Sequence, residues 1–311
     1  MVSGALIVLF NPSEDHVTNL ILLRRQCTHL IAVDNSPSAD PRLQARMEQA
    51  DIEVIRNFNR GGIAGAYNRG LDCLIEKGAE LLFLFDQDSE LPENYFAGMA
   101  EACGRIEARH FLVGPRVLDV NVGRYVPVHL VTKFGIKPIT LTGEDRGLLR
   151  CSSIISSGSV MSAGTYRRLG PFLEDYFIDH VDTEYCFRAV TRGIPIYINA
   201  SLTLKHQISR RVDHKFLFLK LIQWNMTPLR QYYSARNCIH ITRRYGAGFP
   251  VLILINIITL QQIVSVLLFE RDKYRKLLAM LAGIADGLRR RNGSFENCWP
   301  RFANVCARPE R

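Results

Sequence analysis

Leu81-Leu82-Phe83-Leu84-Phe85-Asp86-Gln87-Asp88-Ser89 is the stretch on which the fold turns. Five apolar residues without polar alternation, stopped abruptly by carboxylates, read as a short strand buried on both faces. Three earlier runs, 5–10, 30–33 and 52–55, have the same character and also stop near Asn, Asp or Pro. Segments 18–27, 41–49 and 63–77 between them have helical length and spacing. The order is βαβαβαβ, so the expected class is α/β with a mixed, mainly parallel sheet flanked by helices. Ligands of such sheets bind beyond the carboxyl ends of the strands. The polar groups there are Asn11-Pro12, Asp34-Asn35-Ser36, Asn57-Phe58-Asn59-Arg60-Gly61-Gly62 and Asp86-Gln87-Asp88. Four strand ends are expected to converge on one crevice.

Further along, 111–113, 153–161 and 194–198 read as strands, with a helix containing 182–191. Segments 215–245 and 270–291 read as helices. The 311 residues carry 39 Lys and Arg against 30 Asp and Glu, but the excess is local. Residues 205–311 hold 19 basic and 6 acidic side chains, a net of +13, while residues 1–204 are at −4. Such a basic region attracts phosphate in some form. Nucleic acid is not the expected partner, because no module of interleaved aromatic and basic residues accompanies the charge. The eight cysteines show no C-x-x-C spacing. A reduced cytoplasmic chain without a secreted disulfide framework is expected, and the opening segment lacks the basic region of a signal peptide.

Asp86 and Asp88 place two like charges side by side, which favours an intervening proton or cation. A hard divalent ion such as Mg²⁺ or Mn²⁺ accepts these carboxylates together with diphosphate oxygens. A D-x-D by itself also suits a solvated turn. Gly61-Gly62, followed by the small residues of a helix start, permits close approach of an anionic ligand. It equally suits a tight strand-to-helix connection, and it is neither a Walker loop nor G-x-G-x-x-G. Near the start of the helix 182–191, Asp182 suits a general base or a carboxylate favoured by the helix dipole. His206 suits a structural histidine or a third metal ligand.

In this order the stretches resemble the family 2 glycosyltransferases, inverting enzymes of GT-A fold, and within them the rhamnosyltransferases of bacterial O-antigen and cell-surface polysaccharide synthesis. The resemblance rests on Asn11-Pro12, Val33 to Ser36, Asn57 to Gly70, Phe85 to Ser89, Ser156-Ser157-Gly158, Phe177 to Arg188, His206 and Tyr232-Tyr233-x-x-Arg236-Asn237, and covers residues 4–290. It implies that Asn11, Asp34, Asn57, Asn59, Gly61, Gly62, Asn68, Asp86 and Arg236 meet the nucleotide-sugar donor. It further implies that Asp86, Asp88 and His206 hold Mg²⁺ or Mn²⁺, and that Asp182 is the catalytic base. Val181 stands where Glu is more usual, a departure shared with the rhamnosyltransferase-like pattern. The implied donor is dTDP-L-rhamnose and the implied acceptor a lipid-linked saccharide. A UDP-sugar donor and a non-enzymatic nucleotide-sugar or membrane-surface binding module remain the alternatives, while a nicotinamide dehydrogenase lacks its glycine fingerprint.

On this reading residues 1–210 form the catalytic domain, with 1–115 binding the donor and 116–210 carrying the acceptor side and base, and 211–311 a basic, apolar helical region. Residues 245–269 are uncharged and long enough to cross a bilayer. Asn256, Thr259, Gln262 and Ser265 recur every three residues, however, and basic residues lie on both flanks. A helix lying in the cytoplasmic interface meets both facts, placing the protein peripherally on the inner face of the cell membrane; a buried core helix is the alternative.

Overall fold

The computed structural model describes residues 2–206, 211–216 and 219–306. The first part runs β1 (Ser3–Leu9), α1 (Glu14–Arg24), β2 (His29–Asp34), α2 (Pro41–Gln49), β3 (Glu53–Arg56), α3 (Gly62–Glu76), β4 (Leu81–Asp86) and α4 (Tyr95–Gly104). The middle holds β5 (Leu112–Asp119), β6 (Arg124–Tyr125), β7 (Val128–Val131), β8 (Ile136–Ile139), β9 (Leu148–Cys151), β10 (Ser159–Ser162), α5 (Ala163–Leu169), α6 (Val181–Thr191) and β11 (Ile196–His206). The last part holds the hairpin β12 (Val212–Phe216) and β13 (Leu219–Gln223), then α7 (Pro228–Tyr245), α8 (Ile255–Phe269), α9 (Lys273–Arg289), α10 (Phe295–Cys298) and α11 (Pro300–Cys306).

The main sheet has the order β3-β2-β1-β4-β10-β5-β11-β9, with β6 paired to β5. Strands β1 to β4 are mutually parallel. Antiparallel β10 sits between β4 and β5, β11 runs parallel to β5, and antiparallel β9 closes the edge. This is the expected mixed, mainly parallel α/β architecture. Its consequence for function is directional: β1 to β5 and β11 all deliver their carboxyl ends to one edge. Asp34, Asp86, Asp119 and His206 are the last residues of β2, β4, β5 and β11.

Alternation along the buried strands feeds two apolar layers. Ala5, Ile7, Leu81, Phe83 and Phe85 pack with α1, α2 and α4 on one face. Leu6, Val8, Leu82 and Leu84 pack with α3, α5 and α6 on the other. Each such large aliphatic or aromatic side chain contributes about 1.5–3 kcal/mol by leaving water, which is what clamps the helices to the sheet and fixes the crevice between them. A third layer, built on Tyr232, Tyr233, Ala279 and Phe295, joins α7 to α9 and α10.

Three boundaries differ from expectation, each for a local reason. Helix α1 starts at Glu14 rather than residue 18, because the Ser13 hydroxyl accepts the His16 N–H while the His16 ring accepts the Ser13 N–H. That is a capping box with His in the place usually held by Glu or Gln. Of 153–161 only the last residues pair as β10; the Ser156-Ser157 segment instead turns toward the carboxyl edge of the sheet. Of 215–245, the part before Pro228 is the β12–β13 hairpin rather than helix. Thr227 caps α7 and Pro228 occupies its first turn, where a missing N–H costs nothing. The domain boundary expected at 210 falls outside the described residues.

Candidate active site

Asp86, Asp88 and His206 meet although 120 positions separate the first from the last. Their ligating atoms all lie within 4.8 Å of one another. His206 Nε2 is 3.8 Å from Asp86 Oδ2, and its Nδ1 is 3.9 Å from Asp88 Oδ1. An isolated antiparallel bridge between Glu90 and Lys205 does the positioning, tying the loop after β4 to the end of β11. His206 Nδ1 is buried without a hydrogen-bond partner, a state that costs free energy unless something else fills it. Burial, with Asp88 and Asp182 adding like charge, pushes the Asp86 carboxyl up to about 6 against the opposing pull of His206 and Arg230. Two carboxylates, an orphaned imidazole nitrogen and a converging geometry fit a hard or borderline divalent cation.

Asp182 feels the same cluster, since its charge acts on Asp86. It lies in the first turn of α6, where Oδ1 accepts the Thr183 N–H at 2.7 Å. Burial nonetheless holds its carboxyl above the ordinary aspartate value, with the Thr183 hydrogen bonds and His180 pulling the other way. A partly desolvated carboxylate beside a cleft is the kind of group that takes protons. The preceding turn is unusual: Phe177, Asp179 and His180 are all left-handed, at φ 59°, 59° and 62°. Non-glycine residues persist there only when the surroundings over-determine them.

Those surroundings are on α7. Asn237 Nδ2 donates to the carbonyls of Tyr176, Ile178 and Asp179 at 2.9–3.1 Å. Arg236, expected to meet the leaving diphosphate, does not reach the crevice. It is fully buried, donating to the carbonyls of Asp175 and Gly293 and lying over the rings of Tyr232 and Tyr233. The Arg236-Asn237 pair is thus a clamp on the acidic turn, and its guanidinium is consumed by backbone. The cation that does face the cluster is Arg230, two turns earlier on α7. It pairs with Asp179 at 2.5 Å and is felt by Asp86. Nothing local in the sequence distinguishes Arg230 from Arg236; the fold decides which face of α7 each occupies. Asn237→Ala is expected to lower stability by about 2–3 kcal/mol, because carbonyls lose their donor. It should also lower kcat well beyond any change in the melting midpoint, as the turn carrying Asp182 relaxes; thermal melts and steady-state kinetics on one preparation check both.

On the donor side, Asn11 is exposed at the end of β1, and its N–H is held by the Ser36 hydroxyl at 2.7 Å. Asp34 ends β2 with its carboxylate engaged by Arg56 and by the Ser36 N–H. Asn57 donates to Asn35 Oδ1 and to the Arg60 carbonyl, leaving its own Oδ1 buried and without a partner. Asn59, half-buried at φ 55°, offers its carbonyl to the Gly62 N–H.

Three residues expected on the donor side, Gly61, Gly62 and Asn68, are instead engaged by protein. Gly61 and Gly62, at φ 66° and 60°, make room for protein rather than ligand. A Cβ on Gly61 would lie 2.5 Å from Glu174 Oε2, and one on Gly62 would strike the Phe177 carbonyl. That carbonyl accepts the Ile63 N–H at 2.8 Å, so the acidic turn itself takes up a free donor of the α3 N-terminus. Asn68 likewise faces inward, bridging Phe172 N and O and Glu174. Tyr67, by contrast, was not singled out from the sequence. Its hydroxyl donates to Ser156 Oγ at 2.8 Å and feels both Asp86 and Asp182.

The chain is 28% identical over 294 residues to the dTDP-rhamnosyl transferase RfbF of Shigella flexneri, spanning 92% of this chain and 95% of that one. Its fold matches residues 1–349 of S. aureus TarS in complex with UDP-GlcNAc at a TM-score of 0.56, with 15% identity over 94% of this chain and 84% of the other. This is a GT-A-like glycosyltransferase that resembles the rhamnosyltransferases. The transferase is also 23% identical to the low-salt glycan biosynthesis hexosyltransferase Agl10 of Haloferax volcanii, over 62% of this chain and 63% of the relative. Its fold matches GalNAc-T7, solved with UDP, GalNAc and Mn²⁺, at a TM-score of 0.52 and 14% identity, over 67% of this chain and 44% of that one. No protein-family model matches the transferase.

Proposed function

We propose that the transferase moves L-rhamnose from dTDP-L-rhamnose to a saccharide hydroxyl with inversion, using Asp182 as base. The observation that supports this most is the meeting of Asp86, Asp88, His206, Asp182 and Arg230 at the carboxyl edge of a GT-A-type sheet. Asp182 accepts the proton of the acceptor hydroxyl, whose oxygen forms a bond to the anomeric carbon while the bond from that carbon to the diphosphate oxygen breaks on the opposite face. A single displacement inverts the configuration. Arg230, neutralised in part by Asp179 and acting on Asp86, is the cation assigned to charge developing on the diphosphate. Asp86, Asp88 and His206 would hold Mg²⁺ or Mn²⁺, which supplies further stabilisation of that charge when bound.

The choice of dTDP-L-rhamnose is supported by the likeness to RfbF along nearly the whole chain. The lipid-linked acceptor and the cytoplasmic location are part of the same reading. Radiolabelled dTDP-L-rhamnose and UDP-sugars, offered to purified protein with a lipid-diphosphate saccharide, test it. Expected is transfer from dTDP-L-rhamnose at least tenfold above every UDP-sugar, a discrimination of about 1.4 kcal/mol in transition-state binding. Transfer from a UDP-sugar alone would keep the reaction and overturn the donor.

A further inference from the structure

Helix α8 is turned inside out for a helix at a water interface. Its polar stripe faces the protein: Gln262 is 4% and Ser265 0% exposed, and Gln262 meets the Ser234 hydroxyl of α7 at 3.4 Å. Its apolar residues face outward, with Ile257 56%, Leu260 61%, Leu267 49% and Leu268 44% exposed. Thus the three-residue polar repeat, read from sequence as an obstacle to crossing a bilayer, is what seats the helix on α7 and frees a continuous apolar stripe. Exposed apolar patches of this extent mark interaction surfaces.

The charge around the stripe selects its occupant. Residues 245–291 contain three acids, and all are turned inward: Glu270 pairs with buried Lys276, Asp272 with Arg275, and Asp286 is fully buried. The bases Arg271, Lys273, Arg289, Arg290 and Arg291 are exposed. Two cations sit against the apolar surface itself. Lys273 Nζ donates to the Leu267 carbonyl and Arg243 to the Leu288 carbonyl, each at 2.6 Å, with Leu288 itself 61% exposed. Apolar side chains ringed by exposed cations, with the neighbouring acids turned inward, complement acyl chains beneath anionic headgroups.

We infer that α8, with the adjoining edge of α9, is a peripheral docking surface for an anionic lipid bilayer. Among the described residues the segment Pro250–Phe269 is long and apolar enough to cross a membrane by length and composition. Its inner face, however, is bound to the catalytic layer: Gln223 of β13 reaches the Phe269 carbonyl, and Ser234 lies one turn beyond Arg230 on α7. Crossing would tear out that layer, whereas lying flat leaves it intact. The surface then holds the crevice beside a lipid-borne acceptor. This deepens the proposed reaction only in naming where the acceptor resides, and vesicle binding is measured without donor or acceptor, so either can fail alone.

The test is cosedimentation of the full chain with phosphatidylcholine vesicles, with and without phosphatidylglycerol. Expected is binding about tenfold stronger with the anionic lipid, lost at high salt and released by alkaline carbonate. The double substitution Leu260→Glu and Leu267→Glu should reduce it at least tenfold with donor hydrolysis unchanged, since both side chains are exposed. Equal binding by the double variant, or no binding by the parent chain, overturns the inference. Retention after carbonate would mean a spanning helix instead. A dimer in size-exclusion light scattering that the double variant abolishes would assign the stripe to a second copy.

Discussion

Asp182→Asn is expected to leave donor binding unchanged and to lower the transfer rate by about 10²–10⁴-fold, the usual contribution of a positioned general base. The amide preserves the shape of the residue and can still accept the Thr183 N–H, but it has no site for the acceptor's proton. Stability separates this from misfolding. The folded-state pKa of Asp182 is raised, chiefly by burial, so its ionisation opposes folding. That cost is absent below the unfolded aspartate pKa of about 3.9, grows as pH rises toward the folded pKa and is complete above it. A neutral amide avoids it, so the variant should melt no lower than the parent near neutral pH. For the parent, the acidic limb of kcat should fall above the ordinary aspartate value and be missing from the residual activity of the variant. Retention of more than a tenth of the parent rate would move the base elsewhere.

Asp88→Ala should abolish Mn²⁺ binding, read directly by electron paramagnetic resonance, and reduce transfer on the order of 10³-fold, since a bound cation contributes several kcal/mol of charge stabilisation. Its side chain is 46% exposed, and its neighbour His206, 3.9 Å away, belongs to the same cluster. The loss should therefore appear in metal affinity and rate, not in the melt. His206→Ala removes the orphaned nitrogen and should weaken Mn²⁺ less than Asp88→Ala, because a neutral ligand is lost rather than a charge. In the parent, chelator should stop transfer and either Mg²⁺ or Mn²⁺ restore it. Transfer that continues at full rate in chelator would refute the metal assignment for Asp86, Asp88 and His206 together.

The parts of the site that were legible in sequence are those whose position follows from the chain immediately before them. Asp86 and Asp88 sit where they do because β4 is a buried strand that must end there, and apolar run lengths reveal such ends. Asp182 sits in the first turn of α6 for a similarly local reason. The glycine pair was legible as a close approach but not as to what approaches. Its neighbours, Glu174 and Phe177, lie more than a hundred residues away and leave no trace in the local pattern. Arg236 and Arg230 show the same limit. Both are arginines on one helix, and the 175–179 turn holds Arg236 and Asn237 through its backbone carbonyls but Arg230 through the Asp179 carboxylate, which leaves the Arg230 charge within reach of Asp86.

The order of apolar runs, helical spacings and terminal carboxylates in the sequence determined the α/β class, the parallel half-sheet and the edge at which chemistry would gather. That His206 joins the carboxylates followed only from the family resemblance and not from local pattern, while tertiary structure alone decided that Arg230 and not Arg236 faces them and that the polar side of α8 faces inward. The physical reason is range. Strand and helix patterns report each segment's need to leave water, whereas the partner that satisfies a buried amide, guanidinium or imidazole is chosen by packing between segments far apart in the chain.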